Sequence, residues 1–227
     1  MAIQKLGSSI SWLLLGRIVQ VSTQLVGIAI LARLIPPSDF GLMALAGVVM
    51  TLLQIFSDMG VSSAIIQKKD LDADLKNSAF WLNLLLSAIL FITLILVSPL
   101  VSEHLGNANI TVVLQALAIT FPLNAAAASQ IALLERDSKF REISLINIFA
   151  SCAGLSTAIL LAFKNFGVLS LVAQSLVTAT FQFIFLWRIS SWRPSTPSIH
   201  GIKKIFFFSR DVFFFYLVNY FHRSSDT

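Results

Sequence analysis

Charged residues, cysteine and histidine are scarce in this chain, and each shortage excludes a class of protein. Only 12% of the 227 residues are Asp, Glu, Lys or Arg, which is too few for a soluble domain of this length. The single cysteine, Cys152, has no partner within the chain, so a disulfide framework and a cysteine-based metal site are excluded. The three histidines lie far apart in the sequence and lack the spacing of metal ligands.

Catalytic motifs are missing as well. The sequence contains no Gly-rich phosphate loop, no nucleophile elbow and no pair of carboxylates at catalytic spacing. Its first apolar stretch is too long for a signal peptide and lacks a small-residue cleavage site. We therefore expect neither an enzyme nor a bound metal or cofactor.

Long apolar stretches dominate instead, with 56% hydrophobic residues and a mean hydropathy of +0.84. A bilayer core takes about 20 apolar residues per helix, and a backbone in lipid must pair its polar groups internally. Seven stretches meet these conditions: 10–34, 39–66, 77–101, 109–134, 143–163, 167–189 and an incomplete one from 205. The sequence thus predicts an all-α, polytopic transmembrane helix bundle. We expect a six-helix lobe at 1–189, a cytoplasmic linker at 190–204 and, at 205–227, the incomplete seventh helix of a second lobe.

The basic residues lie almost entirely in every second gap between these stretches, which predicts a cytoplasmic N-terminus. The inside set is Lys5, Lys68, Lys69, Lys76, Arg136, Lys139, Arg141, Arg188, Arg193, Lys203 and Lys204. The outside loops carry only Arg33 and Lys164. A pI of 9.7 therefore requires no nucleic-acid partner. Basic loops that only set the topology explain it, and contact with anionic lipid headgroups is the alternative.

Polar residues inside the first two spans are the main functional signal, because polar groups in a membrane are costly and face a bundle interior or a wet cavity. In the first span Arg17, Gln20 and Gln24 share one helical face. The corresponding face of the second span holds Gly47, Thr51, Gln54, Asp58 and Ser62. Arg17 and Asp58 lie about 10 Å and 12 Å from their cytoplasmic helix ends. We expect a polar seam between these helices, with the two charges forming either a structural ion pair or part of a substrate cavity.

Later spans carry weaker patterns. The sixth span has a polar face, and two polar residues share a face of the fifth; interhelical hydrogen bonding is their expected role. These residues are Gln174, Thr178, Gln182, Asn147 and Ser151. Ala150, Gly154 and Ala158 have the small-residue spacing of close helix contact. Pro122 predicts a kink in the fourth span.

Several short motifs lie at 31–42, 56–70, 80–84, 132–136 with Phe140, and 166–174, and a last one comprises Asn219 and Tyr220 with Arg223 and Asp226. These motifs resemble those of Wzx-type polysaccharide flippases, a branch of the multidrug/oligosaccharidyl-lipid/polysaccharide exporter superfamily, and the last one resembles the seventh helix of that family. The resemblance covers essentially the whole chain but only the first half of the usual family length.

The resemblance implies a flippase of two six-helix lobes that moves polyprenyl-pyrophosphate-linked oligosaccharide across a bacterial inner membrane by alternating access. Its partners would be the lipid-linked oligosaccharide, membrane lipids and either a missing C-terminal lobe or a second copy. The candidate cavity residues are Arg17, Gln20, Gln24, Gln54, Asp58, Arg223 and Asp226. Two alternatives stay open: part of a drug/cation antiporter of the same superfamily, and a membrane scaffold without transport.

Overall fold

The computed structural model describes residues 2–58, 61–67, 72–197 and 201–202. This part of the chain contains eight helices and no strand. The helices are α1 (Ala2–Leu34), α2 (Pro37–Asp58), α3 (Val61–Gln67), α4 (Ala73–Leu105), α5 (Asn109–Ala118), α6 (Thr120–Arg136), α7 (Phe140–Phe163) and α8 (Val168–Ile189).

Six segments within these helices are long and apolar enough to cross a membrane, which confirms the all-α transmembrane prediction. They run from Leu14 to Leu34, Pro37 to Gln54, Ala73 to Leu105, Asn109 to Arg136, Phe140 to Phe163 and Val168 to Ile189. The predicted seventh helix at 205–227 lies outside the described residues, and so do Arg223 and Asp226. The division into a lobe, a linker and a second lobe stays a prediction.

The predicted second span, 39–66, includes α2 and α3, and both are helical over their described residues. Residues 59 and 60, between these two helices, lie outside the described part of the chain.

The fourth span is divided at Ile119, three residues before Pro122. Proline has no N–H to donate to the carbonyl four residues earlier, which here is that of Ala118. The backbone tightens at the break, where the Ile119 N–H donates to the Ala116 carbonyl at 3.3 Å. The Thr120 hydroxyl donates to the Leu117 carbonyl at 2.6 Å. The kink predicted from Pro122 therefore forms one turn before the proline.

The helices form two packed groups, α1 with α7 and α4 with α5 and α6, and α8 contacts both groups. α7 packs along both α1 and α8, while α4 packs against α5 and α6, and α6 also contacts α8. The predicted small-residue contact lies between α7 and α8, where Ala150 and Ala158 are completely buried. A side chain at Gly154 would bring its Cβ within 2.8 Å of the Gln174 carbonyl oxygen. The two helices therefore approach each other at backbone distance.

Large apolar side chains cover the outside of this bundle. Leu96 on α4 is 69% exposed, and Phe163 on α7 and Leu160 are exposed to a similar extent. A soluble protein rarely exposes contiguous apolar surface of this kind. The apolar exterior and the six apolar spans define a multi-pass membrane protein.

One end of the bundle, where α4 begins and α6 and α8 end, is here called the basic end. It carries Lys76, Arg136, Lys139, Arg141, Arg188 and Arg193, whereas Arg33 and Lys164 lie at the opposite end.

At the basic end, the extended segment 190–197 (the docked segment) lies against α4. The Trp81 indole N–H donates to the Ser195 carbonyl at 2.8 Å, and the Ser195 N–H donates to the Asn77 side-chain oxygen at 3.0 Å. Gly201 also lies against α4, since a Cβ there would come within 2.6 Å of an Asp74 carboxylate oxygen.

Candidate functional site

A cavity of about 450 Å³ lies among α1, α2, α6, α7 and α8. We call it the central cavity. Six amide side chains from four of these helices line it: Gln20, Gln24, Gln54, Asn124, Gln174 and Gln182. Five hydroxyl side chains add further hydrogen-bonding groups: Thr23, Thr120, Ser151, Ser175 and Thr178. Among the described residues that line this cavity, none is charged.

The α1 wall is formed by Gln20, Thr23 and Gln24, which recur within one and a half helical turns. The same side of α1 packs on α7: a Cβ at Gly16 would come within 2.8 Å of Ser144, and one at Gly27 within 2.8 Å of Leu155. The Ser144 hydroxyl also donates to the Trp12 carbonyl at 3.1 Å. The polar residues of α1 therefore lie beside its contact with α7. Helical spacing predicted this shared face correctly.

The α2 wall contains Met43, Gly47, Met50 and Gln54. α1 and α2 make no extensive contact over their described lengths, because α2 packs instead on α4, α5 and α8. The predicted polar seam between the first two helices is therefore not a direct helix contact over these residues. The two polar faces line a cavity rather than touching each other.

Arg17 does not line the central cavity. Its side chain is exposed, and it lies one turn nearer the start of α1 than Gln20, about 4.5 Å along the helix axis. Asp58 ends α2, and its side chain lies outside the described part of the structure. The expected contact between Arg17 and Asp58 therefore stays a prediction.

The α8 wall contains Gln174, Thr178 and Gln182, which were expected to bond between helices. That expectation is met: the Gln182 amide donates to the Asn147 side-chain oxygen at 3.0 Å. The Thr178 hydroxyl lies 2.8 Å from the Gln174 carbonyl and 3.4 Å from the Ala150 carbonyl. The same face also borders the central cavity, which residue spacing within one helix does not predict.

Thr120 and Asn124 complete the lining from α6. Both follow the break at Ile119, so the break places the first turns of α6 beside the cavity. In the sequence Asn124 lies two residues after Pro122, which predicts a kink but not a cavity wall.

The chemistry of the central cavity is that of neutral hydrogen bonding. Each amide offers both donors and an acceptor, and each hydroxyl offers one donor and two acceptor positions. Such groups match the hydroxyls of a sugar, which also donate and accept. The volume falls within the roughly 300–1,000 Å³ typical of ligand pockets. The lining can therefore hydrate or bind a polar, uncharged group inside an apolar bundle.

These features define a class: a polytopic α-helical membrane protein with an internal polar cavity. Comparison with known proteins identifies its family. The family described as "Polysaccharide biosynthesis protein" matches residues 30–227, so the chain belongs to that family. The resemblance predicted from the sequence is thereby confirmed at family level.

The chain is similar to three bacterial relatives. Succinoglycan biosynthesis transport protein ExoT of Rhizobium meliloti (strain 1021) is 26% identical over 82% of this chain and 38% of its own length. Lipopolysaccharide biosynthesis protein WzxC of Escherichia coli (strain K12) is 26% identical over 70% of this chain and 32% of its own length. Teichuronic acid biosynthesis protein TuaB of Bacillus subtilis (strain 168) is 24% identical over 68% of this chain and 33% of its own length.

The matched part of the chain spans 32–38% of the length of these relatives. No solved structure matches it significantly.

Proposed function

We propose that this chain forms one lobe of a transporter that moves lipid-linked oligosaccharide across a bacterial inner membrane for export of cell-surface polysaccharide. The uncharged, amide-rich lining of the central cavity carries this proposal. Family membership and the similarity to a relative named as a succinoglycan transport protein support it. The role is transport rather than catalysis.

In this mechanism the amides and hydroxyls that line the central cavity take the place of water around the sugar hydroxyls while the glycan crosses the apolar core. The amides and hydroxyls exchange partners readily, since each can act as donor or acceptor. Several weak bonds spread over five helices suit passage better than one strong site, because a cargo must also leave. The pyrophosphate would contact Arg17, whose cationic side chain lies one turn from Gln20.

Alternating access needs a second lobe to close the other side of the pathway. The matched relatives are much longer than this chain, so a C-terminal lobe or a second copy would supply that wall. The basic end would face the cytoplasm, because Lys and Arg concentrate there and basic loops stay inside. The N-terminus, at the start of α1, would then be cytoplasmic.

An antiporter of hydrophobic cations is less well supported. Such a cargo favours an acidic binding group, and the described lining of the central cavity contains no carboxylate. Asp58 remains the acidic residue predicted nearest to it.

Export of surface polysaccharide in cells that depend on this protein tests the proposal. The double change Gln24→Leu with Gln54→Leu removes hydrogen-bonding groups from two walls of the central cavity. Two lost hydrogen bonds at about 1 kcal/mol each predict at least a tenfold fall in export. Gln115→Leu on α5, outside the cavity lining, is the matched control and should export normally.

Membrane levels of each variant are measured by immunoblot. Export at the wild-type rate by a normally inserted double variant would refute a cargo-lining role for the central cavity. If the double variant instead fails to assemble with its partner chain, the scaffold alternative gains support.

A further inference from the structure

A second, smaller cavity lies at the basic end and shares no lining residue with the central cavity. Its volume is about 200 Å³. Three basic side chains line it: Lys76 from the first turn of α4, Arg136 at the end of α6 and Lys139 just before α7. Asp137 is the acidic residue in this lining. The described lining therefore carries an excess of positive charge.

The charges are held in place from different parts of the fold. The Arg136 Nη1 donates to the Ile65 and Ile66 carbonyls at 3.0 and 3.3 Å, which anchors this guanidinium at the end of α3. The Lys139 ammonium lies 3.7 Å from the Asp137 carboxylate, and both side chains are at least half exposed. An ion pair this exposed is weak, so Lys139 can exchange Asp137 for a stronger anion.

The docked segment forms another wall through Ser190, Ser191 and Trp192. Trp192 packs edge-on against Phe80 of α4 with ring centroids 6.0 Å apart. Together with the Trp81 and Asn77 hydrogen bonds, this contact holds the wall against α4. The cavity is therefore built by parts of the chain far apart in sequence, not by one flexible loop.

The cavity lies where candidate membrane spans end. Arg136 is the last residue of one candidate span, and Lys76 lies in the first turn of another. Leu133 and Leu134 add apolar surface to the same lining. Basic pockets between transmembrane helices at this level are suited to the phosphates of anionic headgroups.

We propose that this basic cavity is a binding site for a phosphate-bearing group, either the phosphate of an anionic lipid headgroup or a free phosphate or pyrophosphate. The volume is below the roughly 300–1,000 Å³ of pockets for larger ligands, so an oligosaccharide does not fit. Lysine and arginine form strong, charge-assisted hydrogen bonds with phosphate oxygens. This binding proposal does not require that the chain transports a substrate.

The test titrates short-chain phosphatidylglycerol, short-chain phosphatidylcholine and inorganic pyrophosphate separately into the purified full chain in neutral detergent. Binding is followed by native mass spectrometry for the lipids and by calorimetry for pyrophosphate. The test variant is Lys76→Gln with Lys139→Gln. Arg33→Gln with Lys164→Gln removes the same number of charges at the opposite end and is the matched control.

Wild type and the control should bind phosphatidylglycerol or pyrophosphate, and the test variant should bind at least about tenfold more weakly. Preference for phosphatidylglycerol over phosphatidylcholine identifies a lipid source, and binding of pyrophosphate alone identifies a soluble one. Equal binding by the test variant and wild type, or binding of neither anionic probe by wild type, would overturn the proposal.

Two further variants separate lost binding from lost folding. Lys76→Arg with Lys139→Arg keeps both charges and should retain binding. Ser191→Asp changes an exposed residue of the lining and adds a negative charge, so it should weaken binding. If Ser191→Asp elutes as a monodisperse protein and binds like wild type, the cavity is not the anion site.

Discussion

The central cavity of this protein is uncharged over its described lining, whereas the basic cavity is positively charged. Their different depths along the membrane-spanning helices explain this difference. The central cavity is surrounded by membrane-spanning helices, and its described lining contains only neutral polar and apolar groups. The basic cavity lies where the spans end, and it gathers three cations. A charge at the bilayer centre costs about 3 kcal/mol or more, whereas a charge at the boundary keeps contact with water. With its charges at the boundary and its amides inside, the protein has polar groups in both cavities without a charge among the described lining residues at the bilayer centre.

The two cavities also differ in how their walls are held. Close helix packing and interhelical bonds form the central cavity, as at Gly154 and between Gln182 and Asn147. The basic cavity depends on the docked segment, which is held by a few hydrogen bonds and ring contacts. Changes that loosen one set of contacts should leave the other cavity largely intact.

The largest effect is expected from Gly154→Leu, which should push α8 away from α7 because its Cβ would approach the Gln174 carbonyl oxygen. Overpacking of this kind costs about 1–3 kcal/mol or more. The unfolding midpoint in detergent should fall. Gly41→Leu is the control, since a Cβ at Gly41 meets no atom within 4 Å. Equal midpoints for the two variants would contradict the backbone-distance contact between α7 and α8.

A smaller effect is expected from Asn77→Ala, which removes the acceptor of the Ser195 N–H. Losing this bond costs about 1–3 kcal/mol, so the Ser195 amide should exchange with deuterium about tenfold faster or more. The same change should weaken phosphate binding at the basic cavity, because the docked segment forms one of its walls.

Asn147→Ala provides the reciprocal control for this change. It removes the acceptor of Gln182 beside the central cavity, so the exchange rate at Ser195 should not change. Unaltered exchange in Asn77→Ala would show that the ring contacts alone hold the docked segment.

The smallest effect is expected from salt. Raising the ionic strength from 0.1 M to 1 M shortens the Debye length from about 10 Å to about 3 Å, so phosphatidylglycerol binding at the partly exposed lysines should weaken several-fold. The slope of log affinity against log salt should be smaller in Lys76→Gln with Lys139→Gln than in wild type. For the double variant Gln24→Leu with Gln54→Leu, this slope should equal the wild-type slope. A wild-type slope near zero would argue against charge-driven binding.

The sequence predicted the helices well because hydropathy and length suffice to identify membrane spans. Pro122 and the small-residue spacing around Gly154 also predicted local features that the structure contains. Helical periodicity predicted that Gln20 and Gln24 share one face and that Gln174 and Gln182 share another.

Helical periodicity tells which residues share a face but not which helix lies opposite. The pairing of α1 with α7 rather than with α2 was therefore missed, and so was the convergence of several polar faces on one cavity. The sequence pattern assigns Lys76 and Lys139 only to topology, or to general contact with headgroups. Their meeting with Arg136 in one cavity depends on how the docked segment folds back, and no short-range sequence pattern encodes that.

The contact of Gly201 with α4 limits how far the chain can reach next. An extended chain covers at most about 3.5 Å per residue, so the four residues from Gly201 to the predicted helix start at 205 reach about 14 Å. Measured from Ser190, the same start could lie about 50 Å away. If a helix begins at 205, as the sequence predicts, its start lies within about 14 Å of Gly201. A displacement of that helix would then act on the docked segment, which forms one wall of the basic cavity.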